Sequence, residues 1–173
     1  MPIERSTRPI AAARLGTLAR GLLDRSTLCA IATVSPGGRP YINTAYFAWT
    51  PELDLVWLSE PKARHSRNVR ANAGAAVGVY ESGQVWGNPD RGIQLLGTAR
   101  EVAGAAAEDA ARAYAGRFRQ FRESDFGGYR LYRFRPTRVK LFDELALGPG
   151  TFVIARVRRE GRLYWERTEI YRR

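Results

Sequence analysis

The sequence predicts a mainly β fold with inserted helices, its strands closing into a small barrel. Short apolar or alternating runs recur from Leu28 to Arg167, separated by Gly and Pro turns. The first three runs are joined by connections too short for a helical crossover, so they form an antiparallel meander. Closing many short strands into a barrel removes exposed sheet edges. With 173 residues, 45% of them apolar, the chain reads as one domain over residues 1–173 with its own core.

Each element follows from its local pattern. Ala11, Leu15, Leu18 and Leu22 recur at helical spacing, and polar residues follow, which predicts an amphipathic packing helix over residues 9–24. The barrel then spans about residues 28–167. Residues 28–35 are a nearly continuous apolar run, residues 36–39 a Pro-Gly-Gly-Arg turn, and residues 40–49 are rich in aromatic and β-branched side chains. A Thr-Pro-Glu turn leads to a third strand over 53–58. A helix is expected at 62–71, strands at 75–81 and 92–102 around a loop at 82–90, and a helix at 108–121 with Tyr114, Phe118 and Phe121 on one core-facing side. After a polar loop at 122–128, strands are expected at 129–135, 138–143, 151–158 and 163–167. Glu160-Gly161 turns the last two into a hairpin, and Gly148-Pro149-Gly150 reads as a hinge candidate.

The composition excludes several functions. No apolar run approaches a membrane span, and arginines interrupt the opening segment where a signal peptide would need an apolar core, so a soluble cytoplasmic protein is expected. One cysteine and one histidine leave no ligand set for a protein-built zinc site; Cys29, inside an apolar run, reads as a buried inert thiol. The net charge of +11 raises the question of nucleic acid, but arginines spread from Arg5 to Arg173 without forming one patch, which argues against it as the main ligand. Gly-rich dinucleotide and phosphate loops, a nucleophile elbow and paired carboxylates are all missing, so any chemistry falls to a bound cofactor.

One segment stands out. Residues 59–72, Ser-Glu-Pro-Lys-Ala-Arg-His-Ser-Arg-Asn-Val-Arg-Ala-Asn, put a basic, hydroxyl-bearing helix start behind a strand. Ser59 suits an N-cap and Pro61 a first helical turn, and the unpaired N–H groups of that turn favour an anion. Lys62 and Arg64 add charge. His65 shares a face with Val69 and reads as either a packing histidine or an anion donor, whereas Arg67 and Arg70 point to the surface.

The order of elements and these motifs resemble the flavin-binding split-barrel family typified by pyridoxamine 5'-phosphate oxidase. The opening helix before Leu28-Cys29-Ala30-Ile31-Ala32-Thr33-Val34, the Gly37-Gly38-Arg39-Pro40 turn, Trp57-Leu58-Ser59 running into Lys62-Ala63-Arg64-His65-Ser66-Arg67-Asn68, and the strand Arg91-Gly92-Ile93-Gln94-Leu95-Leu96-Gly97-Thr98-Ala99 carry it. The resemblance implies a split β-barrel binding FMN at a homodimer interface. It implies an oxidoreductase on an unidentified small organic substrate, with reduced nicotinamide as a candidate electron donor. A deazaflavin-dependent reductase and a non-catalytic flavin or haem carrier are the alternatives in the same fold. It further implies that Ser59, Lys62, Arg64, His65 and Ser66 hold the flavin phosphate. The ring would lie over Asn43, Thr44, Ala45, Tyr46 and Phe47, with either Asn43 and Ala45 or Thr44 and Tyr46 facing it, and Gln94 would reach a flavin held mainly by the other subunit. The final hairpin carries Tyr164, Trp165 and Arg167 but no histidine, so oxidation of vitamin B6 is not implied.

Overall fold

A computed structural model describes residues 3–122, 124 and 127–172 of the chain. In chain order the elements are β1 (Ile3–Ser6), α1 (Ala12–Asp24), β2 (Leu28–Val34), β3 (Pro40–Trp49), β4 (Leu55–Ser59), α2 (Arg64–Ala71), β5 (Gly74–Tyr80), β6 (Arg91–Glu101), α3 (Ala105–Arg117), β7 (Arg130–Asp143), α4 (Glu144–Leu147), β8 (Thr151–Val157) and β9 (Leu163–Tyr171). Six strands close an antiparallel barrel in the order β7-β4-β3-β2-β5-β6 and back to β7, and β8, β9 and β1 extend the sheet from β7. This is the split-barrel architecture the sequence predicts.

The alternation of side chains explains the core. Cys29 and Ile31 of β2, Val77 and Val79 of β5, Ile93 and Leu95 of β6 and Leu55 and Trp57 of β4 fill the barrel, with Trp57 stacked on Tyr132 at 6.0 Å between ring centroids. Helix α1 adds Leu15, Ala19, Leu22 and Leu23 to the same core. Strand β4 is buried on both faces because α3 covers its outer side, where Ala110 and Tyr114 pack on Ala48, Val56 and Leu131. Cys29 is 2% exposed, and burial pushes its thiol up to about 12, so it is un-ionised at neutral pH.

Four elements depart from the sequence reading. The expected strands at 129–135 and 138–143 are one strand, β7: Pro136 pairs with Gly97 of β6, and Thr137 bulges out opposite the step from Leu96 to Gly97, so the strand continues past the proline. Gly97 is needed there: a Cβ would come within 2.1 Å of the Arg135 carbonyl oxygen. Helix α3 starts and ends earlier than 108–121, so Phe118 and Phe121 lie beyond it, yet both pack on Tyr114, at 4.7 and 5.1 Å. The hinge candidate at 148–150 is a tied turn: Gly150 donates to Glu144 Oε1 at 2.9 Å and accepts from the Tyr171 amide at 2.9 Å. Strand β1, polar and four residues long, pairs with β9, which runs on to Tyr171. Of the polar loop expected at 122–128, Glu123, Asp125 and Phe126 lie outside the described residues, as does Arg173.

Candidate functional site

The site begins where β3 and β4 part. The Phe47 amide donates to the Thr27 carbonyl and the Thr50 amide to the Asp54 carbonyl, which sets the phase of β3: odd residues bond toward β2 and even residues toward β4. Strand β3 pairs with β2 along Pro40–Tyr46 but with β4 only from Phe47 to Trp49. The N–H and C=O groups of Ile42 and Thr44 therefore face a side where, among the described residues, no strand pairs with them. Such an edge is a ready hydrogen-bonding template for a planar polar ligand.

The same alternation settles which side chains look outward. Asn43 and Ala45 turn inward opposite Ile31 and Cys29, and Phe47 is fully buried under the Arg117 guanidinium, whose carbon is 4.6 Å from the ring centroid. Thr44 and Tyr46 are exposed on the outer face, and Tyr46 meets Phe118 edge-on at 5.8 Å. From Asn43, Ala45 and Phe47 an outer ligand meets backbone alone.

Beside this edge lies the start of α2. The helix begins at Arg64 rather than at residue 62, and its N-cap is Ala63, with no side-chain cap bond. Ser59 is the last residue of β4 and does not cap; Pro61 and Lys62 lie in the turn before the helix. The Ser59 hydroxyl is drawn elsewhere: it lies 2.5 Å from His65 Nε2 and accepts from the Ser66 hydroxyl at 3.1 Å. Ser59 Oγ also donates to the Glu60 carbonyl at 3.4 Å. Burial holds His65 below its ordinary pKa, so the ring is uncharged at neutral pH. His65 is thus a half-buried histidine fixed by the Ser59 hydroxyl. Ser66 is fully buried.

Lys62 and Arg64 are exposed, and no acidic side chain stands in the first turn of α2; Glu60, just before the turn, is the nearest in sequence. Arg64 donates to the Tyr41 hydroxyl at 2.8 Å and lies over its ring. Arg67 and Arg70 are exposed as expected, Arg70 pairing with Glu101 at 3.3 Å. Buried Asn68 ties α2 to β2 by donating to Thr33 Oγ1 at 3.0 Å.

Gln94 does not join this group within one chain. Register places Thr44, Ala30, Gly78 and Gln94 in one row across β3, β2, β5 and β6. Three strand spacings put Gln94 roughly 14 Å from Thr44. The face between them is small and apolar, with Ala30, Ala32, Ala76 and Gly78 outward, and it is bordered by exposed Leu28, Ile42, Tyr46, Tyr80 and Leu96. Sequence reasoning did not nominate Tyr41, although an aromatic hydroxyl two residues before Asn43 was a usable signal. The free edge has no local signal, because it depends on the path of β4.

A profile of the pyridoxamine 5'-phosphate oxidase family matches residues 16–143, from α1 to the end of β7. The chain belongs to this family. Solved structures agree on the fold. A protein of unknown function from Agrobacterium tumefaciens superposes with a TM-score of 0.61 at 21% identity, covering 76% of this chain and 57% of that one. A heme binding protein from Mycobacterium smegmatis gives 0.65 at 18%, covering 87% and 60%. An F420 reductase gives 0.54 at 24%, covering 69% and 94%. The chain thus spans less than two thirds of the first two proteins. No curated protein matches the sequence. In this member of the oxidase family, no helix among the described residues is long and apolar enough to cross a membrane.

Proposed function

We propose that the protein is an FMN-dependent oxidoreductase acting on a small organic molecule, with its flavin held between two copies of the chain. The observation that carries this reading is the unpaired edge of β3 at Ile42 and Thr44 beside a helix start bearing Lys62 and Arg64. The donor set fits FMN. Lys62, Arg64 and the α2 amides supply charge-assisted donors for a phosphate monoester, each worth about 1.5–3 kcal/mol. The free N–H and C=O groups of Ile42 and Thr44 match the alternating donors and acceptors of the flavin's pyrimidine edge, and Thr44 and Tyr46 present side chains to the ring. Bound there, FMN would supply hydride transfer.

The chain's own residues then orient and shield. Neutral His65 is held in place by the Ser59 and Ser66 hydroxyls and adds no charge of its own beside the phosphate. The uncovered apolar face of β2, β3, β5 and β6 suits a second copy, which would exclude water and bring its Gln94 toward the ring. Binding of a deazaflavin coenzyme is the second reading; the F420 reductase neighbour and the arginine excess favour it.

The test is the absorbance of the purified protein, followed by titration with FMN and with a deazaflavin and by oxidation of reduced nicotinamide with candidate acceptors. A flavin spectrum, saturable FMN binding and turnover are expected. A colourless protein that takes up neither cofactor overturns the proposal.

A further inference from the structure

We propose a second binding site, for a nucleotide, in the groove at the tip of the β8–β9 hairpin. It does not rest on the flavin reading. Arg156, Arg158, Arg159, Arg162, Tyr164 and Trp165 line an open groove of about 880 Å3, together with Glu160 and Glu166. That volume lies within the range of small-molecule pockets and is far more than a lone phosphate fills.

The groove is built on a fixed frame. The Arg158 amide donates to the Arg162 carbonyl at 2.8 Å, and Glu160 and Gly161 both take positive φ, 60° and 68°. Gly161 lies so close to the β3–β4 turn that a Cβ would come within 2.7 Å of the Pro51 carbonyl oxygen, and Arg20 of α1 donates to the same oxygen at 3.1 Å. The tip is therefore clamped between α1 and that turn.

Its charge is uncompensated. Both carboxylates in the groove are committed. Glu166 pairs with Arg138 at 2.9 Å and with Arg156, and these hydrogen bonds hold its carboxyl below the usual carboxylate range. Glu160 lies 3.9 Å from Arg162 with both side chains exposed, a pair worth little in water. Arg158 and Arg159 have no acidic partner among the described residues. Arg158 and Arg159, consecutive on a held turn that lines the groove, bring two positive charges without a carboxylate, and a multiply charged anion would neutralise them through planar, bidentate hydrogen bonds.

The aromatic residues narrow the ligand class. Tyr164 is half exposed, and Trp165 is fixed by donation from its indole N–H to Thr168 Oγ1 at 3.0 Å. A ring beside paired arginines suits a ligand with a flat base and phosphates. Strand β4 separates this groove from the α2 site: the hairpin tip meets the β3–β4 turn at Pro51 and Glu52, before β4, whereas α2 follows the Ser59 end of that strand.

The experiment titrates ADP calorimetrically into the full-length protein in excess FMN, with adenosine, pyrophosphate and a single-stranded oligonucleotide as separate arms. One ADP per chain is expected, with adenosine and pyrophosphate each weaker. The double variant R158Q/R159Q should bind ADP at least tenfold more weakly, keep the wild-type melting temperature and keep its FMN affinity. Absence of ADP binding, or equal ADP affinity in the double variant, overturns the proposal. So does an oligonucleotide that binds far more tightly than ADP with a steep salt dependence, which would make the tip a nucleic-acid surface.

Discussion

At the residue scale the candidate site is a division of labour between exposed cations and a buried hydroxyl chain. Arg64 and Lys62 are exposed and carry little of the fold. Arg64→Gln and Lys62→Gln should each lower FMN affinity about tenfold while changing unfolding free energy by less than about 0.5 kcal/mol, checked by fluorescence titration and urea denaturation. His65 behaves differently. Its folded pKa lies below the ordinary 6.5, so between those values the unfolded chain binds more protons than the folded one. Stability of the ligand-free protein should therefore level off above about pH 6.5 and fall as the pH drops below it. His65→Gln should flatten that part of the profile; an unchanged slope would place the titration on another group. The residue scale was only partly legible in sequence. Lys62 and Arg64 stand exposed around the start of α2, but Ser59 is not its N-cap: it lies four residues before Ala63, and its hydroxyl meets His65.

At the element scale the decisive feature is the divergence of β4 from β3. If the even residues of β3 have free backbone groups, proline should be tolerated unequally along the strand. Thr44→Pro removes no ladder bond and should cost about 1 kcal/mol, whereas Ala45→Pro removes a bond to β2 and should cost about 3 kcal/mol or more, measured by chemical denaturation. Thr44→Pro should nevertheless weaken FMN binding. Strands β2 and β3 were readable almost to the residue, because a nearly continuous apolar run and an aromatic, β-branched run flank a Pro-Gly-Gly-Arg turn. Strand β7 was read as two because a proline within a strand pattern ordinarily ends it; the bulge at Thr137 that carries the strand on is set by pairing with β6, some forty residues earlier in the chain. Strand β1 had no apolar pattern to read; its place is decided by β9.

At the scale of the whole molecule, the apolar face of β2, β3, β5 and β6 and the charged β8–β9 arm are parts of one sheet with opposite demands. The first asks for a protein surface and the second for an anion. Ala32 is exposed at the centre of the apolar face, between Ile42 and Ala76. Ala32→Arg should leave the fold intact but convert a dimer to a monomer by analytical ultracentrifugation, and FMN affinity should fall with it. A monomeric wild-type protein that still binds FMN would count against an interfacial cofactor. Which side chains of β3 look outward depends on the register of neighbouring strands, which no local window of sequence contains.

Strand β7 pairs with β4 along its first half, with β8 along its second half and with β6 along nearly its whole length. It is the member common to the closed barrel and the three-stranded arm, so neither can open without it. Amide hydrogen exchange at residues 131–134 and 139–141 of β7, on either side of Pro136, should thus be the slowest in the molecule and report global unfolding, while β1, held by β9 alone, exchanges through local fraying. Two partners of β7, β4 and β6, are also remote in sequence, beginning at Leu55 and Arg91, and assembling them incurs the loop-closure cost that makes folding slow. Until β7 docks, β4, β6 and β8 each leave an edge open to other chains, and that interval is when the protein is most prone to aggregate.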